Sequence, residues 1–570
     1  MNASKNLCSV ILALAAVTCA ANDVTIEKPY FRWLFNGFGF QHSEANFLAL
    51  MHDDFRDQRV LKTFAELSPS FARVYTGFAD QSRDQLDRFA DYYDATFRKA
   101  GTTIYAVPCA MPQFAEEIDA DEYAEKVAKN LDYLVNVRKC RKIRYYCLTN
   151  ELMDGDRWGW FGSGDDSRRE VFKKFNVALF HAFRRHGLDI RLLASDQAAT
   201  TKPEVVYPLL DWIGENMDDY VGAYCTHWYV YGRRADDLAL WNECNAYFSN
   251  LVQRAISRKA KRYILGEFGF SPVWGSRGVM VDDAGYSVRQ PETMEESVLS
   301  KCEVGLAAMN QGTAACVSWS FVDYPDPFVI EDGDTPQEQA RYAAGRCGYR
   351  MDVKYNKWGV FRWMTTDRNY SSYAELYAMG WLAKLFRKNS TVLSCDFADP
   401  MLRGGAVMNQ DQSVSIAIVN RGKGRCATVD CSSWKTRVDG TPSLHKPLRR
   451  YVYEVGHVPY SPFNDLQPMD GTVEAKDGLI SVTLPPKSIT FLTTDYEDRV
   501  PKAVEGLRVA DWRLSWTASD EPEHRYYRVF KDGKQIASTV ATSIPVPGLK
   551  ADDVRRFAVK GVDKWNNEGR

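Results

Sequence analysis

Two glutamates close apolar runs of this chain: Glu151 in "YYCLTNELMDGDRWGWFG" (145–162) and Glu267 in "RYILGEFGF" (262–270). Asn150 precedes the first, Gly266 and Gly269 flank the second, and "THWY" (226–229) sets His227 and Tyr229 between them. A carboxyl among aromatic and apolar residues is opposed in its ionisation, so such a placement asks for a purpose. A pair of carboxyls in different settings suits cleavage of a sugar acetal. There one carboxylic acid protonates the departing oxygen, and one carboxylate attacks or stabilises the oxocarbenium-like centre. His227 and Tyr229 fall on one strand face, two residues apart. Other chemistries lack their residues. There is no HExxH, no CxxC pair, no Walker loop and no GxSxG, and "FGSGDD" has Phe161 where a first Gly is needed. Eight His without clustered spacing give no transition-metal site. "GFGFQHSEAN" (37–46) is no dinucleotide fingerprint, so no cofactor is expected.

The elements that must position these residues are read from periodicity. Short apolar runs alternate with helical segments from about 34 to 390. The strand candidates lie near 34–40, 70–77, 102–110, 142–150, 189–196, 220–229, 262–270 and 314–321. Eight βα units predict a (β/α)8 TIM barrel; a doubly wound sheet would want a Gly-rich first turn that is missing. In such a barrel the strand C-termini build the site. They offer Arg73, then Asn150 and Glu151, Asp196, His227 and Tyr229, Glu267 and Trp319 in strand order, with Asp196 read as a cap or structural acid.

"LTNEL" (148–152), "THWY", "LGEFG" (265–269) and "SWSF" (318–321) resemble the motifs of clan A retaining glycoside hydrolases, family 5- or 39-like, over roughly residues 31–390. The resemblance implies Glu151 as acid/base and Glu267 as nucleophile. It implies that Asn150 binds the hydroxyl beside the anomeric carbon and that Tyr229 hydrogen-bonds the nucleophile. His227 would line the same subsite, Arg73 would support Glu267, and Trp319 would floor the reacting sugar. Arg73 and Tyr229 are then expected to lower the pKa of Glu267, while Glu151 keeps a proton in a more apolar setting. Trp158 and Trp160, in the loop beyond the fourth strand, are candidates for stacking on sugar faces.

The rest of the chain frames this site. Lys5 and the run "LCSVILALAAVTCAAND" read as a signal peptide (1–21) cleaved after Ala20 or Ala21, giving a secreted or periplasmic protein, with cell-surface anchoring at Cys19 the alternative. No later segment reads as a membrane span. The barrel is assigned 22–390, with 22–33 available to pair with a β-sandwich predicted over 391–496 from runs such as "SVSIAIVN" and "SITFLTTD". "EDRVPKAVEG" reads as a linker to 497–570, which resembles a fibronectin type III module serving as spacer or contact surface; "KDGK" supplies a hairpin turn there. The cysteines, 13 in all, sit mostly in apolar runs as packing residues. Lys plus Arg number 72 against 74 for Asp plus Glu, which leaves no basic excess for nucleic acid. The partner expected is a carbohydrate. The competing reading is a non-catalytic carbohydrate-binding or adhesion protein on a glycosidase-like barrel, which a missing carboxylate would favour; both are present.

Overall fold

The computed structural model describes residues 22–27, 34–42, 58–108, 118–151, 166–197, 203–231, 238–259, 261–271, 294–321, 359–361, 372–434, 444 and 446–570. Trp158 and Trp160 lie outside these residues. After β1 (Val24–Glu27) and β2 (Leu34–Phe35), eight parallel strands close into a barrel. They are β3 (Phe38–His42), β4 (Phe71–Tyr75), β5 (Thr103–Val107), β6 (Ile143–Cys147), β7 (Arg191–Gln197), β8 (Val221–Tyr231), β9 (Arg262–Ser271) and β10 (Cys316–Ser318). Closure is completed by β10, which pairs in parallel with both β3 and β9. A strand covered on both faces reads as a continuous apolar run, and "FARVY" of β4 is buried throughout.

The first expected strand, 34–40, is in fact two. Leu34–Phe35 pairs with β11 (Ser390–Phe397), and the barrel strand begins only at Phe38. The break falls at Gly37, whose φ of 97° is open to glycine, and a Cβ there would stand 2.4 Å from that of Ser70. The fourth strand also ends earlier than expected, at Cys147, so Asn150 and Glu151 stand on the loop just beyond it. The outer helices carry local signals: the helix Arg83–Ala95 starts with a capping box between Ser82 and Gln85, and Ala120–Asp132 is capped by Asp119.

Beyond the barrel, β11 continues into β12 (Leu402–Met408), β13 (Val414–Asn420), β14 (Arg425–Asp430), β15 (Leu448–Glu454), β16 (Gly471–Val473), β17 (Ala475–Lys476), β18 (Leu479–Leu484) and β19 (Ser488–Thr493). The path runs β16-β15-β19-β13-β12-β11-β1-β14-β18-β17 around a core that includes Ile26, Leu393, Ile416, Val429 and Ile480. Strand β1 lies inside this sheet, antiparallel to β11 and parallel to β14.

A second, smaller sandwich follows. Its sheets are β20 (Arg508–Ala510), β21 (Arg513–Ser515) and β24 (Ser543–Pro545), and β23 (Lys534–Thr539), β22 (His524–Lys531) and β25 (Phe557–Asp563). Leu514, Trp516, Tyr527 and Val529 fill the space between them. Asp532 and Gly533 turn the β22–β23 hairpin with positive φ at both, as a type I′ turn demands. The stretch read as a linker is packed: Pro501 is buried and Val504 lies against this core. The module itself is tied to the barrel. Lys62, on the helix Gln58–Leu67, pairs with Glu66 at 2.8 Å and with Asp465. Glu66 accepts from Tyr526 at 3.1 Å, and Asp465 faces Arg528 at 3.3 Å and accepts from Ser538 at 2.9 Å.

Candidate active site

The C-terminal ends of the barrel strands bring Arg73, Asn150, Glu151, Asp196, His227, Tyr229 and Glu267 into one buried cluster. Glu267, 3% exposed, receives Tyr229 Oη at 2.7 Å on one oxygen and Tyr75 Oη at 3.1 Å on the other, which also takes a hydrogen bond from Arg73. Arg73 is fully buried and spreads its guanidinium over Glu267, Asn150, Asp196 and Gln41, the last at 2.8 Å. That fork matches the five donors arginine offers. His227 bridges two acids, with Nδ1 2.9 Å from Glu151 Oε1 and Nε2 2.8 Å from Asp196 Oδ1. Asp196 also takes Tyr105 Oη at 3.1 Å and Cys225 Sγ at 3.2 Å.

Burial opposes charge on His227, yet Glu267 and Asp196 outweigh it and raise its pKa to about 10, so the ring is an imidazolium donating from both nitrogens. Burial likewise opposes Asp196 as an anion, but the Arg73 and His227 cations hold its pKa below the ordinary value. Arg73 is secured as a cation, against its own burial, by Asp196 and Glu267. Glu267 goes the other way from expectation. Burial pushes its pKa up, against the pull of Arg73 and His227, because the whole carboxyl has left water. Arg73 and His227 moderate that rise without reversing it.

Glu151 and Asp196 both adopt left-handed backbone, with φ of 48° and 49°. Each such residue costs of order 1–3 kcal/mol and persists where its surroundings fix it. Here the Glu151 N–H donates to the Asp196 carbonyl at 2.8 Å, so the ends of β6 and β7 hold each other. Trp319 is half-buried, edge-on to Tyr75 with ring centres 5.9 Å apart. Beneath it Lys301 donates to the Trp319 carbonyl and pairs with Glu375 at 2.7 Å, while Ser318 donates to the same carboxylate.

The residues missed from sequence are Tyr75 and Gln41, and Asp196 has a larger part than a cap. Tyr75 had a signal: two residues beyond Arg73, it shares that strand face. One oxygen each of Glu151 and Glu267 and a ring nitrogen of His227 all lie within 4.8 Å of one another. This spacing would admit a cation, which would have to displace the proton of the His227 ring to gain its lone pair.

The sequence matches no family model, and no curated protein matches it. Solved structures do. One is a glycoside hydrolase family 30 endoxylanase from Clostridium papyrosolvens C71, with a TM-score of 0.51 and 12% identity over 83% of this chain and 99% of that one. A second is an endo-beta1,6-glucanase, with a TM-score of 0.52 and 14% identity over 83% of this chain and 95% of that one. A third is a family 51 arabinofuranosidase from Xanthomonas axonopodis pv. citri, with a TM-score of 0.52 and 12% identity over 83% of this chain and all of that one. At these identities the likeness is one of fold: a closed parallel barrel with a β-sandwich packed beside it.

Proposed function

We propose that the chain is an exported retaining glycoside hydrolase of clan A type that cleaves β-glycosidic bonds of a poly- or oligosaccharide. The observation that carries this reading is the approach of Glu151 and Glu267 to within 4.8 Å, oxygen to oxygen, at the barrel mouth. Retention calls for carboxyl groups about 5–5.5 Å apart, whereas inversion needs about 6.5–9.5 Å to seat a water. The structures of similar fold, an endoxylanase, an endo-beta1,6-glucanase and an arabinofuranosidase, support a sugar substrate.

Glu267 attacks the anomeric carbon, oriented by Tyr229, Tyr75 and Arg73. Glu151 gives its proton to the departing oxygen, and a glycosyl ester forms on Glu267. The division follows the resemblance of "LTNEL" and "LGEFG" to the clan motifs, and Glu151, its side chain 16% exposed against 4% for Glu267, is the carboxyl a departing group can reach. Esterification removes the Glu267 charge, and Glu151 then draws the proton from water as the ester is hydrolysed. Asn150, fixed by Arg73, faces the same space for a substrate hydroxyl, and Trp319 offers its ring face.

The test uses two variants. Glu267→Ala abolishes turnover, and added azide restores a product of inverted configuration. Glu151→Ala spares activated aryl glycosides, which leave without a proton, slows natural substrates by about 10²–10⁴-fold, and gives an azide product of retained configuration. Full activity of either variant refutes that residue's role.

A further inference from the structure

The opposite end of the barrel carries a charge pattern that the proposed chemistry does not use. A cavity of about 610 Å³ opens where the strands begin, bounded by Asn36, Thr103 and Asn389. Its wall includes Arg98, Lys139, Arg141, Lys142, Arg144 and Arg191. Lys388 is the seventh cation, and Asp189 is the only carboxylate among its described lining residues. In a chain of net charge −2 this is a strong local concentration. Much of it comes from one short stretch, "RKCRKIR" (138–144).

Structural duties account for some of these cations. Arg98 pairs with Asp94 at 2.7 Å, Arg144 with Asp189 at 2.9 Å, and Lys388 donates to the Gly101 carbonyl at 2.9 Å. Lys139 donates to the carbonyl of Asn136 at a helix end, where a cation suits the dipole. Arg141, Lys142 and Arg191 have no carboxylate within 4.0 Å among the described residues, and Arg141 and Arg191 are exposed. Burial and the nearby charge of Lys142 both lower the pKa of Lys388, so the cations crowd one another. Mutual repulsion of this kind is relieved by an anion.

The charge continues beyond the barrel. Lys388 also lines a second cavity, of about 430 Å³, between the barrel, the sandwich and the C-terminal module. Lys384, Arg387, Arg525 and Lys564 face it, but Arg387 pairs with Asp411 at 2.7 Å and Asp495 at 3.0 Å, and Glu523 takes Lys564 at 2.9 Å and Arg525 at 3.8 Å, which leaves Lys384 to extend the charge from Lys388. Lys384 makes a single described contact, to the Glu66 carbonyl at 2.7 Å. Two basic cavities sharing one lysine make a track and not a point site.

We propose that this track, from Arg191 and Arg141 across Lys388 to Lys384, binds an acidic polysaccharide chain through its carboxylate or sulfate groups. Its concave form suits a single flexible chain better than a flat membrane. The partly exposed rings of Tyr145 and Trp565 and the amides of Asn36 and Asn389 suit sugar faces and hydroxyls. The site lies opposite the catalytic mouth, so it anchors and does not cleave. It does not depend on the glycosidase assignment, because its readout is binding alone.

The test measures binding of the full-length mature protein to dextran sulfate, polygalacturonate and neutral dextran, with single-stranded DNA and anionic phospholipid vesicles as competing polyanions. Wild type binds dextran sulfate or polygalacturonate and not dextran. Binding fades as salt rises from about 0.1 to 1 M, where the screening length falls from about 10 to 3 Å. The two acidic arms separate sulfate from carboxylate recognition. Combined Arg141→Glu, Lys142→Glu and Arg191→Glu weakens binding about ten-fold or more, while the same charge change at the exposed Lys423, Lys476 and Lys534 leaves it unchanged. Thermal melting checks the fold, and the Gln versions replace the Glu versions if these melt early. The proposal is overturned if wild type binds neither acidic polysaccharide, if the track variant binds like wild type, if the control variant loses as much, or if DNA or vesicles bind more tightly than both polysaccharides.

Discussion

At the scale of single residues, His227 sets a measurable signature. Its folded pKa, about 10, exceeds the ordinary 6.5, so its ion pairs contribute fully below pH 6.5 and are lost as pH rises toward 10. Replacing His227 with Gln is therefore most destabilising near pH 6, and thermal melts should show the gap to wild type narrowing between pH 6.5 and 10. A gap that stays constant would mean that the ring is neutral. The sequence made this residue visible because His227 and Tyr229 alternate on one strand. It did not show that the ring sits between Glu151 and Asp196, since that needs the ends of three strands to converge. The same holds for Glu267. Arg73 was legible as its cationic partner, but the extent of burial, which raises its pKa, belongs to the closed barrel.

At the scale of elements, the barrel strands were legible as apolar runs, and their C-terminal ends named most of the site. The split of 34–40 was not, because a run of apolar residues hides the turn that one glycine allows. Gly266 shows how tightly β9 is seated. A Cβ there would stand 2.5 Å from Cys225 Sγ and 2.6 Å from both Asp196 Oδ1 and Tyr105 Oη. Gly266→Ala should push Asp196 from between Arg73 and His227. Overpacking typically costs about 1–3 kcal/mol, and the loss in kcat should exceed what the melting temperature suggests. Unchanged kcat with a lowered melting temperature would show that the strain is absorbed away from the acids.

At the scale of the molecule, the C-terminal module expected to serve as spacer or contact surface is docked on the barrel helix Gln58–Leu67. Lys62 and Glu66 are buried where Asp465, Asn464 and Leu466 of the first sandwich and Tyr526 of the second meet them. Removing 497–570 strips Tyr526 and Arg528 from this network while the Lys62 pairs remain, and the lost hydrogen bond to the buried Glu66 costs about 1–3 kcal/mol. The truncated protein should melt several degrees lower, and the intact chain should unfold in one calorimetric transition; two separate transitions would restore the idea of a hinge-linked spacer. Such long-range ion pairs leave no periodic trace in a sequence, which is why the sequence left spacer and contact surface as alternatives for this module. Strand β1 has a consequence for the order of assembly. Asp23 beside it meets Thr428, 405 residues further along, so at roughly 5–20 residues per second the first strand waits on the order of tens of seconds for its neighbours to be synthesised. Throughout that interval a growing chain carries an unclaimed strand, and a growing sandwich then has a vacancy between β11 and β14. Crowded nascent copies can fill each other's vacancies, so the hazard built into this topology is exchange of β1 between molecules.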